Sequence, residues 1–246
     1  MTETIDVQAV SRGKEAGTTP VHGVIELRAY AARAMPTRDW LSGRATPAFA
    51  DEGTVVTAIA PVGEGRVPAL PGDEFVIVIS GDLTLETESS SAVVKSAGSF
   101  VLPSGLNFRW RAAAGTVAVI VACPGASRTS PDLVPIDEAA PLQPSNPPAA
   151  ELLVGPTPSC RNHSDYRSAS GELICGTWDS TPYRRRPMLH PQVELMHLLE
   201  GAATFEDASG SVTFSKGDII VRVRGAQCSW VSEVHVKKVY ATHRPA

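Results

Sequence analysis

His190 and Glu194 stand four residues apart at the head of the apolar stretch "HPQVELMHLLEG" and are the residues best placed to do chemistry. Burial raises a carboxylate's pKa, whereas a neighbouring cation stabilises its charge, and here Arg184, Arg186 or Lys238 would supply that cation. A carboxylate perturbed in this way beside an imidazole suits proton transfer to a small polar substrate. The run Arg184-Arg185-Arg186 reads either as a solvated surface or as the mouth of a pocket that attracts an anionic ligand. Cys123, Cys160, Cys175 and Cys228 lack the paired short spacing of a zinc knuckle, so reduced thiols are expected.

The elements that must position these groups are strands. Alternation puts Glu194, Met196 and Leu198 on one face of their strand, with Leu195, His197 and Leu199 on the other. His197 is therefore expected to face away from Glu194, as a packing or interface residue. Cys228 and Trp230 share a face of a later strand. Tyr183 and Arg184 precede His190 as candidate pocket-lining residues; being adjacent, only one of them points inward unless a bulge intervenes.

The same pattern occurs twice, 120 residues apart. Glu74, Gly81, Thr84 and Glu86 recur as Glu194, Gly201, Thr204 and Glu206, and Gly105 and Trp110 recur as Gly225 and Trp230. Both blocks are short β-branched strands separated by glycine turns, which predicts an all-β fold of two similar units. Strands are expected over 74–80 and 83–88 and near 93–94, 100–102, 108–111 and 117–121, with a short helix near Tyr30 to Arg33. Seven prolines between Pro124 and Ala150 predict a stiff connector. The expected division is an arm over 1–50 packing on one unit, a first unit over 51–143, a linker over 144–151 and a second unit over 152–246.

Composition narrows the function. With 22 basic and 26 acidic residues the net charge is -4, which excludes the basic footprint of a nucleic-acid binder. No apolar run reaches the roughly 18 residues of a membrane helix. Met1 to Gly17 lacks the apolar centre of a secretory signal, so a cytoplasmic location is expected. The anticipated partners are a small polar molecule and a second copy of the chain, a homodimer formed through outer sheet faces bearing Leu195 and His197.

The blocks around Glu194 and Trp230 resemble the cupin superfamily. Its first motif places two histidines one residue apart, then a glutamate and a glycine; His190, Glu194 and Gly201 match, with Met188 at the first histidine's place. In the second motif Gly217 and Gly225 match, Val223 replaces proline and Cys228 replaces the last histidine. Trp178, Gly217, Asp218, Trp230 and Lys238 fill places typical of the subgroup found among ethanolamine-utilisation accessory proteins. More distantly, the two-unit layout is similar to ureidoglycine aminohydrolase, whose metal site lies in its second unit.

The resemblance implies tandem double-stranded β-helix (jelly-roll) barrels, a bicupin. It implies a pocket in the second barrel lined by Tyr183, Arg184, Met188, Met196, Trp230 and Lys238, with His190 and Glu194 as the catalytic pair. Imidazole, carboxylate and thiolate from His190, Glu194 and Cys228 would bind one divalent metal (zinc, manganese, iron or nickel); the alternative is a buried Glu194–His190 pair without metal. In the first unit Leu70 and Phe108 stand where His190 and Cys228 do, so no metal is expected there, and Glu74 is expected to meet Arg109, Arg111 or solvent. The implied function is a metal-assisted or acid/base step on a small polar metabolite, or else non-catalytic ligand binding, sensing or a structural role.

Overall fold

The computed structural model describes residues 22–124 and 130–245, so residues 1–21 of the expected arm, including the polar stretch Met1 to Gly17, lie outside the described residues. The described chain is almost entirely strand, in four sheets. The first half has a seven-stranded sheet centred on Gly72–Ser80, Val117–Pro124 and Thr54–Pro61, and a four-stranded sheet of Gly63–Val67, Phe108–Ala112, Asp82–Glu86 and Ser91–Lys95. The second half repeats this plan. Its seven-stranded sheet is centred on Val193–Glu200, Val236–His243 and Leu173–Ser180, and its four-stranded sheet comprises Tyr183–Leu189, Gln227–Ser232, Ala202–Asp207 and Gly210–Ser215.

The expected closed barrels are not found: each sheet is an open ribbon, and each half is a pair of such sheets. The reason lies in who occupies the edges. The free edge of Ile219–Arg222 is taken by Val24–Glu26, in the register Val24 to Arg222. In the first half Val134–Pro135 takes the outer edge of Ser99–Leu102. The backbone groups that closure would have paired are thus satisfied by the arm and the connector.

Burial follows from the layering. The four-stranded sheets have one wet face, so Phe108–Ala112 alternates buried and exposed residues, with Arg109 and Arg111 outward. The seven-stranded sheets are covered on both faces, which explains the unbroken apolar run Phe75-Val76-Ile77-Val78. One face looks into its own sandwich. The other meets the opposite half, where Phe75, Ile77, Val101 and Val121 join Leu195, Val221, Val239 and Ala241 in one shared core.

This packing corrects the surface expected for a dimer. Leu195 is fully buried and His197 is 4% exposed within a single chain, because the opposite half already covers their face. Gly81 and Gly201 both adopt positive φ, 71° and 75°, at the same turn of the two halves, which accounts for glycine recurring there. The helix is Leu27–Ala31, earlier than expected, because the Glu26 carboxylate caps it by accepting from Arg28 N and Ala29 N at 2.7 Å each. All four cysteines are free and buried.

Candidate functional site

A cavity of about 430 Å³ opens between the two sheets of the second half. Its buried charged and imidazole members are Arg185, His190, Glu194, Arg222 and Lys238, the exposed Arg167 and the uncharged Asn162, Ser164, Gln192 and Thr242 complete the polar lining, and its aromatic wall is built from Trp178, Tyr183, Trp230 and Tyr240. Tyr183 stacks on Trp230 with centroids 5.9 Å apart and planes 16° from parallel, and Trp178 meets Trp230 edge-on at 6.3 Å.

Each group is aimed by strand geometry. Tyr183 and Arg185 share a face of Tyr183–Leu189, so Arg184 points outward. A register shift between Arg185 and Met188, across Arg186 and Pro187, then moves the strand's phase by one residue. Met188 and His190 thereby join Tyr183 and Arg185 on the cavity side. Glu194 comes from the central strand Val193–Glu200, Arg222 from its neighbour directly opposite, and Lys238 from the strand on the other side.

Glu194 is the hub. Its Oε2 accepts from Arg222 Nη2 at 2.5 Å, its Oε1 accepts from Lys238 Nζ at 2.6 Å, and His190 Nε2 lies 3.6 Å from Oε2. Burial works to raise the Glu194 pKa, but Lys238 and Arg222 outweigh it and hold the carboxyl well below the usual range. Lys238 also sits over the Trp178 and Trp230 rings at 4.8 and 5.4 Å. Burial, reinforced by Arg222, pushes His190 down to about 3, so the imidazole is neutral, and its Nε2 has no hydrogen-bond partner. Arg185 is 7% exposed, yet its guanidinium makes one long hydrogen bond, from Nη2 to the Cys228 carbonyl at 3.4 Å. Three buried cations therefore surround one carboxylate, leaving an excess of two positive charges.

Of the residues singled out from sequence, Tyr183, Met188, His190, Glu194, Trp230 and Lys238 line the cavity together. Three do not. Met196 and Cys228 lie in the apolar core of the second half, at 0% and 1% exposure. Arg184 is on the outer surface, paired with Glu233 at 2.8 Å. Arg222 went unrecognised, and Arg185 was picked out only as part of the basic run that reads as solvated surface or pocket mouth, not as an individual cavity residue. The signal for them is in the repeat: strand pairing aligns Arg185 with Gly65, Arg222 with Leu102 and Lys238 with Ala118, so three small or apolar residues of one copy are cations in the other.

The counterpart glutamate of the first half takes a different partner from those expected. Glu74 does not meet Arg109 or Arg111, which point to solvent; its Oε1 accepts from Arg44 Nη2 at 2.5 Å and its Oε2 from Trp40 Nε1 at 3.1 Å. With one cation beside it rather than two, burial prevails and the Glu74 pKa is raised.

These residues do not fit a divalent metal. Both Glu194 oxygens are occupied by cationic donors, burial raises the Cys228 thiol, and Arg222 and Lys238 would repel an ion placed between His190 and Glu194. Among the described residues no three His, Cys, Asp or Glu side chains converge as a metal site.

Comparison with known proteins is consistent with this architecture. Residues 167–240 match the family model described as the EutQ-like cupin domain. A crystal structure of a protein of unknown function in the DUF861 family, from Pseudomonas syringae pv. tomato str. DC3000, superimposes with a TM-score of 0.78 at 30% identity, covering 83% of this chain and 88% of that one. A cupin 2 conserved barrel domain protein from Leptotrichia buccalis shares the fold, with a TM-score of 0.55 at 11% identity over 81% and 88% of the two chains. No curated protein sequence matches. No helix among the described residues is long and apolar enough to cross a membrane. The chain belongs to the DUF861 family, in the cupin superfamily.

Proposed function

We propose that the second half binds a small organic anion in a metal-free pocket, with Arg185 as the group that receives its carboxylate. The observation that carries this is the state of Arg185: a buried guanidinium with five donors and one weak bond, in a cavity whose carboxylate is already neutralised by two other cations. A buried cation left in this state is unfavourable, and an incoming carboxylate relieves it with a bidentate pair.

The neutral, unpartnered Nε2 of His190 favours a second reading on the same pocket, acid/base chemistry on the bound anion. In that case Glu194 positions Arg222 and Lys238, and His190 is the group that takes or gives the proton. The likeness in layout to ureidoglycine aminohydrolase is not extended to a metal step, because the cations around Glu194 oppose one.

Calorimetric titration with simple carboxylates tests the proposal. One carboxylate is expected to bind per chain, and Arg185→Met is expected to abolish that binding. Binding that persists unchanged in the variant, or its absence from the native protein across the panel, overturns the reading.

A further inference from the structure

The first half shows what fills a cavity of this design. Aligned by strand register, the three cations and the imidazole of the second cavity are small or apolar in the first, while the glutamate is kept: Arg185 is Gly65, Arg222 is Leu102, Lys238 is Ala118, and His190 is Leu70. Leu70 and His190 are equivalent by hydrogen bonding as well, each pairing with the same turn through Gly105 or Gly225. Into this space the arm inserts Trp40, 1% exposed, whose indole N–H reaches Glu74 and whose ring packs on Phe108 and Trp110 at 5.5 and 6.3 Å. The chain thus supplies its own flat, N–H-bearing bicyclic ring as the occupant of the first cavity.

The counterparts of two of the residues holding that ring, Glu74 and Trp110, are on the wall of the second cavity. Glu194 stands for Glu74 and Trp230 for Trp110, while the small Cys228 replaces the bulky Phe108 and Trp178 and Tyr240 extend the aromatic lining. We infer that the ligand of the second cavity takes the place of Trp40 and is a planar aromatic carboxylate. Its ring lies against Trp178, Trp230 and Tyr240, its carboxylate on Arg185, and its polar ring edge on His190 Nε2. The hydrogen-bonding partner shifts from glutamate to histidine because Arg222 and Lys238 already occupy both Glu194 oxygens. Flat rings gain from edge and face contact with such a wall in a way that puckered rings of equal size do not. This inference rests on the anion-pocket reading above and adds the shape of the anion.

The test is calorimetric titration of the full chain with three probes: indole-3-carboxylate, the puckered bicycle hydrindane-1-carboxylate, which has the same number of ring atoms, and uncharged indole. Indole-3-carboxylate is expected to bind at one site per chain, about tenfold more tightly than hydrindane-1-carboxylate, the factor that aromatic contacts of this number supply. Trp178→Leu should weaken indole-3-carboxylate and leave hydrindane-1-carboxylate unchanged. Equal binding of the two acids overturns the planar-ring inference and leaves the anion pocket standing. Failure of both acids to bind overturns both. Indole binding as tightly as its carboxylate retains the ring and overturns the role of Arg185.

Discussion

Replacing Trp40 by alanine puts the plug of the first half to a quantitative test. The ring is 1% exposed, packs on Phe108 and Trp110 and donates to Glu74, which keeps Arg44 as its remaining partner. Truncating a buried tryptophan costs about 3–5 kcal/mol. Losing one hydrogen bond to a carboxylate that stays ion-paired adds about 1 kcal/mol. The expected loss of about 4–6 kcal/mol is large against a whole-protein stability of about 5–15 kcal/mol. Urea unfolding followed by far-ultraviolet circular dichroism should therefore show the midpoint falling by roughly 2 M at an m-value of about 2–3 kcal/mol/M. The hole left is flat, apolar and carries an acceptor, so free indole should refill it and raise the variant's melting temperature in proportion to log concentration. Trp40→Phe, which keeps most of the ring, should lose about 1–3 kcal/mol. A loss below about 1 kcal/mol for the alanine variant, or indole raising native protein and variant equally, would refute the assignment of Trp40 as the occupant.

Glu194→Gln strands Arg222 and Lys238 as buried, unpaired charges and should cost about 3–5 kcal/mol in urea unfolding. Arg184→Ala, on an exposed pair with Glu233, should leave carboxylate affinity and the unfolding midpoint unchanged, whereas Arg185→Met should abolish binding and raise the midpoint by removing an uncompensated buried charge. Burial lowers the pKa of His190 to about 3, of His197 to about 4, and of His243 below its ordinary value. The folded chain then binds fewer protons than the unfolded one, so this contribution is fully present above about pH 6.5 and is lost as pH falls toward the folded values. Buried carboxylates with raised pKa values, such as Glu74, act in the opposite direction, so the histidine contribution is read as a difference: between pH 7 and pH 5 the unfolding free energy of the native protein should fall relative to that of His197→Gln, by up to one proton in slope.

The repeat and its strands were legible because each copy carries the same order of apolar strand and glycine turn, and the same spacing from Glu74 to Trp110 as from Glu194 to Trp230. His190, Glu194 and Lys238 were legible for a similar reason, as motif positions. What escaped depends on distant parts of the chain. Period-two reasoning identified the choice at Tyr183 and Arg184, but the bulge between Arg185 and Met188 and the inward turn of Arg185 are set by pairing with Gln227–Ser232. Cys228 and Met196 share an alternation phase with the pocket, yet lie deeper between the sheets than it reaches. Open rather than closed sheets, and burial of Leu195 and His197, follow from an added strand and a second half that no local window contains. The burial of Trp40 escapes for the same reason, its partner Glu74 being 34 residues away.

The pairing of Val24–Glu26 with Ile219–Arg222 has a consequence for how the protein is made. The strand leaves the ribosome nearly 200 residues ahead of its partner. At about 5–20 residues per second, that separation is roughly 10–40 s of translation. Trp40 and Arg44, by contrast, find Glu74 and Phe108 while the first half is being completed. The nascent chain therefore passes through an interval in which the first cavity is already plugged while an apolar strand just upstream, and the face carrying Phe75 and Ile77, still await cover. Chaperone dependence and aggregation during expression should be governed by that interval, and slowing translation after the proline-rich connector should lengthen it.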